Sequence, residues 1–369
     1  MRVTWAGTFE PSFSRNRKLQ GFLDRSDARV DIVREDLWGM DRVSLASDGI
    51  RIRLLVKGLV AYAKLFVRLA LLGRPDVYLV SYPGWFDMPI VAFVAFFKRR
   101  PVVFDPFISL SDTTISDRGL FEADSAIGRL SRWIDGLSVR LADVVIADTP
   151  AHLDLFRELS GGNLRGTAVV PLGADDDVFR PQADTQIDNS LVAFHGTFVP
   201  LQGLVTIVEA AALLEPHGVR VLIVGDGQDR PVLEAAIERT GAAVETPGLV
   251  PLEELPGLIS SAAVCLGVFG DSAKAGRVVP HKVYECLALG KAVVTREGPA
   301  IQGLLMDGEL VLVPPGDADA LATAVLGLIN NPKMRDEIAA AGRKAYVERF
   351  HEKTLAIAFY QSLELATSA

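Results

Sequence analysis

The stretch His281-Lys-Val-Tyr-Glu-Cys-Leu-Ala-Leu-Gly-Lys-Ala-Val-Val-Thr295 sets a charged pair at a helix start, directly ahead of a buried strand, and that junction decides the fold. Pro280 precedes the helix, Gly290 ends it, and residues 292–295 read as the strand. Ligands of an open α/β sheet are held where strands end and helices begin. Lys282 and Glu285 are therefore candidates for a polar site on an apolar scaffold.

Outward from this junction the alternation repeats. Strands are predicted at 191–195, 219–224, 244–246, 263–268, 292–295 and 311–313, with helices at 204–214, 230–239, 252–260, 282–289, 318–328 and 332–350. The first half reads likewise, with strands at 3–6, 77–81, 102–104, 144–147 and 168–171 and helices at 51–72, 89–97 and 127–141. Between the two series the chain turns polar, and residues 181–190 are the expected linker. The expectation is α/β: two doubly wound, Rossmann-like domains, residues 1–180 and 191–350, followed by a C-terminal helix over 351–369 that packs back on the first domain.

A chain of 369 residues is too long for one ordinary core, and 49% hydrophobic with 23% charged residues is a soluble globular composition. The net charge of -8 argues against nucleic acid as a partner. Cys265 and Cys286 sit in apolar surroundings and read as reduced structural thiols, which suits the cytoplasm. The first residues lack the long apolar core of a secretory signal. The longest apolar run, residues 88–97, is half of what a bilayer span requires, about 20 residues.

Three further segments place glycines or polar groups at strand ends. In Phe194-His-Gly-Thr-Phe-Val-Pro-Leu-Gln-Gly203, Gly196 allows close backbone approach, and Gln202, Gly203 and the first helical amides can face an anion. It lacks the lysine and serine of a P-loop. The turn Gly225-Asp226-Gly227 lacks the third glycine of a dinucleotide fingerprint, and its structural reading is a tight turn before a helix. The loop from Phe269 through Gly270 to Pro280 carries Lys274 and Arg277, which with Lys282 make a cationic pocket for a diphosphate and its building charge. Glu285, one turn beyond Lys282, can accept from both hydroxyls of a ribose; its structural alternative is a surface ion pair.

The order Gly196, Gly203, Gly225-Asp-Gly227, Gly248, the Gly270 loop, and Lys282-x-x-Glu285 with Ala288-x-Gly290-Lys291 resembles the donor domain of the GT-B glycosyltransferases of family four, the large retaining group. The likeness is strong over residues 190–350 and looser in the first domain. It implies a GT-B fold with a central cleft, residues 191–350 gripping a nucleotide diphosphate sugar and residues 1–180 facing the acceptor. It also implies that Glu285 binds the ribose and that Lys282 and the loop before it lie by the diphosphate or sugar. Gly7 with Thr8 resembles the family's glycine loop that reaches the diphosphate across the cleft. Two departures stand out: Arg277 occupies the place of a first glutamate, and Thr197 and Gln202 stand where an arginine and a lysine are common. Arg277 and Lys282 are expected to supply the missing positive charge.

In the first domain Asp105, Ser109 and Asp112 follow a strand, where they could orient an acceptor hydroxyl. The histidine that family members often have in this region is absent, and His152 reads as a residue of a helix start. Between Arg51 and Arg74 stand six basic residues and no acid. On a helix Arg53, Lys57, Lys64 and Arg68 fall within about 60° of one another, a stripe that can lie on anionic lipid or form an ordinary solvated face. Lys98-Arg-Arg100 adds to it. Asp175, Asp176 and Asp177 read as a solvated loop, and neither a metal nor another cofactor is expected.

Together these features point to a cytoplasmic enzyme, a hexosyltransferase-type glycosyltransferase moving a sugar from a nucleotide diphosphate donor to an acceptor hydroxyl, with retention implied by the resemblance. The acceptor is a lipid-linked or polysaccharide intermediate or a small metabolite, and peripheral contact with the inner membrane face is expected if the basic stripe meets lipid. A sugar-nucleotide epimerase and a non-catalytic nucleotide-sugar or lipid-binding protein share the architecture and stay open here.

Overall fold

The computed structural model describes residues 1–37, 48–113, 122, 124–182 and 185–368, with side chains from residue 56 in the helix that opens the second described segment. Strands β1 (Arg2–Gly7), β2 (Arg29–Arg34), β3 (Val77–Ser81), β4 (Val102–Asp105), β5 (Val144–Ala147) and β6 (Gly166–Val169) form one sheet, in the order β2-β1-β3-β4-β5-β6. A second sheet holds β7 (Asp188–His195), β8 (Arg220–Val224), β9 (Val244–Gly248), β10 (Ala262–Leu266), β11 (Ala292–Arg296) and β12 (Val311–Val313), in the order β12-β11-β10-β7-β8-β9. All pairings in both sheets are parallel. These are two Rossmann-like halves in the GT-B arrangement.

Parallel strands covered on both faces need continuous apolar runs, and β3 and β10 are buried at every position. On one side of the first sheet the helices Asp48–Leu71, Met88–Lys98, Ala126–Arg140 and Pro150–Leu159 close a core that includes Leu65, Met88, Val91, Val139 and Phe156. On the other side the helix Ser14–Asp24 and the C-terminal helix Glu352–Ser368 bury Phe22, Leu355, Phe359 and Leu363 against Val3 and Trp5. Each such large side chain contributes roughly 1.5–3 kcal/mol on leaving water.

The sequence pattern misses β2 and the helix Ser14–Asp24. Arg29, Asp31 and Arg34 give β2 the polarity of an edge strand, which pairs only with β1. The helix buries Arg15 and Asn16 along with Leu19, Phe22 and Leu23, which erases its apolar period. The helix predicted over 252–260 begins at Leu255, because Pro256 sits in its first turn, and that over 332–350 gives way after Ala345 to a π turn, Tyr346–Phe350. β7 already starts at Asp188, inside the expected linker.

Each sheet has one point where strand order reverses, β1 beside β3 in the first and β7 beside β10 in the second. Crevices outside the carboxyl ends of the strands open there.

Candidate active site

At the second reversal point β7 ends in His195-Gly196, and β10 runs on toward Gly270. The glycine turns pack backbone against backbone. A Cβ on Gly225, which has φ +143°, would lie 2.0 Å from the Gly196 carbonyl oxygen. One on Gly203, φ +68°, would lie 2.5 Å from the Gly270 nitrogen. Between these turns run the bonds from Phe198 N to Asp226 O (2.9 Å), Phe269 N to Gln202 O (3.0 Å) and Gly270 N to Leu201 O (3.2 Å). Arg296 braces the same loop, donating to Gly270 O at 2.6 Å and Ser272 O at 3.2 Å.

Lys282 and Glu285 project from the helix His281–Ala288 into this arrangement. Lys282 is buried, donates to Gln202 Oε1 and sets Nζ 3.6 Å from the Phe194 ring centroid. Burial pushes its pKa well below the usual lysine value, with the Cys286 and Glu285 charges opposing. An arriving anion would favour the ammonium form. Glu285 Oε2 lies 2.7 Å from His195 Nε2, and 17% of its side chain stays open to solvent against 6% of the histidine's. Burial alone would raise the Glu285 pKa. The His195 hydrogen bond and the His195, His281 and Lys282 charges outweigh it and hold the carboxyl below the ordinary range. The site thus combines a partly open carboxylate, a buried amine with an amide partner, and close-packed backbone turns.

Gly196, Gln202, Gly203, Lys282 and Gly270 are brought together, and Glu285 shares the helix of Lys282. Thr197 is exposed on the first turn, while Gly225 and Gly227 pack beneath it on Gly196 and Phe198. Asp226 is held by Arg230 Nε at 2.7 Å and by the Gly227 amide at 2.8 Å, so its carboxylate serves its own turn. His195 is absent from the expected set. It ends an apolar strand run, and the only signal was a polar residue at a strand's carboxyl end before glycine. His281, from the same helix as Glu285, meets Gly173 O from the first half at 3.2 Å.

Across the cleft Gly7 and Thr8 close the first reversal point on Asp87, with Thr8 N to Oδ2 2.7 Å and Thr8 Oγ1 to Oδ1 3.0 Å. Asp105 departs from its expected role. It is fully buried in an ion pair with the Arg15 Nε at 2.8 Å, and Arg15 also reaches Val170 O. Such a carboxylate fixes loops instead of opening onto an acceptor. Ser109 and Ser111 both donate to Asp135, and Asp112 receives Arg277 through two guanidinium nitrogens. Arg277 is therefore a clasp between the halves, reinforced by Thr149 Oγ1 donating to its carbonyl at 2.7 Å, and not an unengaged cation awaiting a diphosphate. His152 lies in the first turn of its helix, where Thr149 caps its amide. Asp176 is taken by the Tyr346 hydroxyl at 2.5 Å and the Glu352 amide at 2.9 Å. Among the described residues no group of three or more His, Cys, Asp or Glu stands ready for a metal ion.

The side chain of Arg53 lies outside the described residues, so only part of the basic stripe is placed. Lys57 reaches Leu37 O at 3.4 Å, Arg68 pairs with Glu35 at 2.7 Å, and Lys64 is exposed. Among the described residues no helix is long and apolar enough to cross a membrane.

The family model for glycosyl transferases group 1 matches residues 189–331, and that for a glycosyl transferase 4-like domain matches residues 17–173. The lipopolysaccharide core biosynthesis glycosyltransferase LpsE of Rhizobium meliloti is 26% identical over 246 residues, 64% of this chain and 69% of that protein. The alpha-D-kanosaminyltransferase of Streptomyces kanamyceticus is 29% identical over 225 residues, 57% of each chain. In fold the chain is similar to HepE of Anabaena, solved in complex with UDP-glucose, with TM-score 0.71 at 19% identity over all of both chains.

Proposed function

Because the chain belongs to the group 1 glycosyl transferases and is a sugar-transferring enzyme, we propose that it moves a sugar with retention from a nucleotide diphosphate donor to an acceptor hydroxyl. One observation carries this reading: a solvent-reachable Glu285, set by His195 at 2.7 Å, shares a helix with buried Lys282 at the reversal point of the second sheet. Glu285 accepts from the ribose hydroxyls. Lys282 and the amides around Gly196 and Gly203 meet the diphosphate, where charge builds as the glycosidic bond breaks. Gly7 and Thr8 approach from the other half. In this reading positioning and fixed charge lower the barrier, rather than a protein nucleophile.

The UDP-glucose bound by HepE makes a UDP-sugar the first donor to test, and the lipopolysaccharide role in the name of LpsE favours a lipid-linked acceptor. Peripheral contact with an anionic membrane through the basic stripe belongs to the same reading. A thermal-shift screen against nucleoside diphosphates should show one base raising Tm, and nucleoside diphosphate release should require acceptor. Change of the sugar without acceptor would point to epimerisation instead.

A further inference from the structure

The helix Asp48–Leu71 has two apolar faces. One, through Ala61, Leu65 and Leu69, is buried on the first sheet. The other points away from it and carries Val56, Leu59, Val60, Phe66, Val67 and Leu71, exposed by 41% to 83%. At 100° per residue these side chains centre opposite the buried row, with Lys57, Lys64 and Arg68 along one border. The neighbouring helix Met88–Lys98 continues the surface with Phe93, Phe96 and Phe97, exposed by 53%, 77% and 65%. Phe66 and Phe93 meet at 6.2 Å between ring centroids, and Phe93 and Phe97 at 4.9 Å, so the two helices share one aromatic ridge. Beyond a groove lined by Phe93, Phe96 and Leu137, the helix Ala126–Arg140 adds Leu130 and Trp133, exposed by 52% and 56%.

An apolar surface spread over three helices is far more than scattered surface hydrophobics. Its charge is equally one-sided. Residues 56–71, 88–98 and 126–140 carry seven cations and a single acid, Asp135, in a chain whose net charge is -8. Asp135 is buried at 1% exposure and taken by Ser109 and Ser111. A second copy of the chain, docked face to face about a two-fold axis, would set cations against cations. Aromatic and aliphatic side chains bordered on their own helices by Lys and Arg, of which Arg68 and Arg132 also pair with Glu35 and Glu158, match the boundary between acyl chains and anionic headgroups.

We infer that the outer face of the helices Asp48–Leu71, Met88–Lys98 and Ala126–Arg140 is immersed in the interface of a membrane rich in anionic lipid. This deepens the membrane contact of the proposed function and names the side chains that enter. These helices run antiparallel to the strands they follow, so the face extends from the base of the first sheet toward the rim of the cleft, where a lipid-linked acceptor would arrive.

The test is co-sedimentation of the full chain with vesicles of phosphatidylcholine, alone or with 30% phosphatidylglycerol. The variants are L59S/L71S/F96S/F97S and K57Q/K64Q/R68Q, with melting curves showing that each folds. Binding to the anionic vesicles should fall at least tenfold in the apolar variant at low salt. The basic variant should lose the gain from phosphatidylglycerol while keeping the weaker binding that survives 0.5 M salt. Wild-type binding that the apolar variant matches would overturn immersion but leave an electrostatic contact standing. Wild type that binds no vesicle overturns both. So does a dimer, seen by light scattering, that the serine substitutions dissolve. UDP-sugar binding, read separately, is untouched by any of these results.

Discussion

The two reversal points are built from opposite materials. At the second, backbone packs on backbone through Gly196, Gly203, Gly225 and Gly270, Lys282 is buried on Gln202, and Glu285, set by His195, keeps part of its carboxylate open to solvent. At the first, side chains satisfy one another: Asp87 holds Thr8, Asp105 holds Arg15, and Asp135 holds two serines. The carboxylates feel this directly. Burial raises Asp87 to about 7, whereas His195 and neighbouring cations overcome burial and hold Glu285 low. A polar residue near a strand end is thus no guide to chemistry until its partners are known. In this molecule the acids of the first half serve as scaffold and the acid of the second is presented.

The sharpest way to break that contrast is to remove Arg15. Methionine there strands the Asp105 charge in the core, and urea titration should show a loss of about 3–5 kcal/mol, with the double variant R15M/D105L recovering most of it. If R15M kept its stability but lost transfer, the pair would belong to the reaction and the contrast would fail. Next comes Glu285→Ala. It should lower kcat/KM for the donor about 100-fold, roughly 2.7 kcal/mol, with little change in Tm because the carboxylate is already partly open. A large drop in Tm with unchanged kinetics would place Glu285 among the scaffold acids.

The same difference explains what could be read in the sequence. The second sheet, and the meeting of Gly196, Gly203 and Lys282 at its reversal point, were legible because glycines, apolar runs and the Lys282 to Glu285 spacing are local signals, while His195 was not. The helix Leu204–Leu214 was placed to the residue. At the first reversal point Gly7 and Thr8 were legible, but the partners of its polar groups were not. Asp87 meets Thr8 from 79 residues away and Arg15 meets Asp105 from 90, and no periodicity reports such partners. Arg277 shows the limit most plainly: its loop suggested a phosphate cation, but its partner, Asp112, lies 165 residues away in the other half.

Arg277 can still sharpen the comparison, since it ties the two regions together. If it acts as a clasp, R277A and D112N should each slow transfer by about the same factor, roughly tenfold, or about 1.4 kcal/mol. Their combination should cost little more than either alone, as partners in one contact do. A donor-affinity loss confined to R277A would return the guanidinium to the diphosphate and make the second region the owner of both cations.

The effect most diagnostic of the first region is read in the pH dependence of stability. The folded pKa of Asp87, about 7, lies above the roughly 3.9 of an unfolded aspartate, so the folded state holds the proton more tightly. The stability this confers is complete below pH about 3.9 and is lost as pH rises through 7. Wild-type Tm should therefore carry a decline between pH 5 and 8 that Asp87→Asn lacks, a difference of a few degrees. Asparagine still offers an oxygen to the Thr8 amide, so the turn at Gly7 should persist and donor binding should change little. Parallel Tm curves in the two proteins would mean that Asp87 stays ionised through that range, like Glu285. The first reversal point would then also present a charge, and the division between scaffold acids and a presented acid would have to be redrawn.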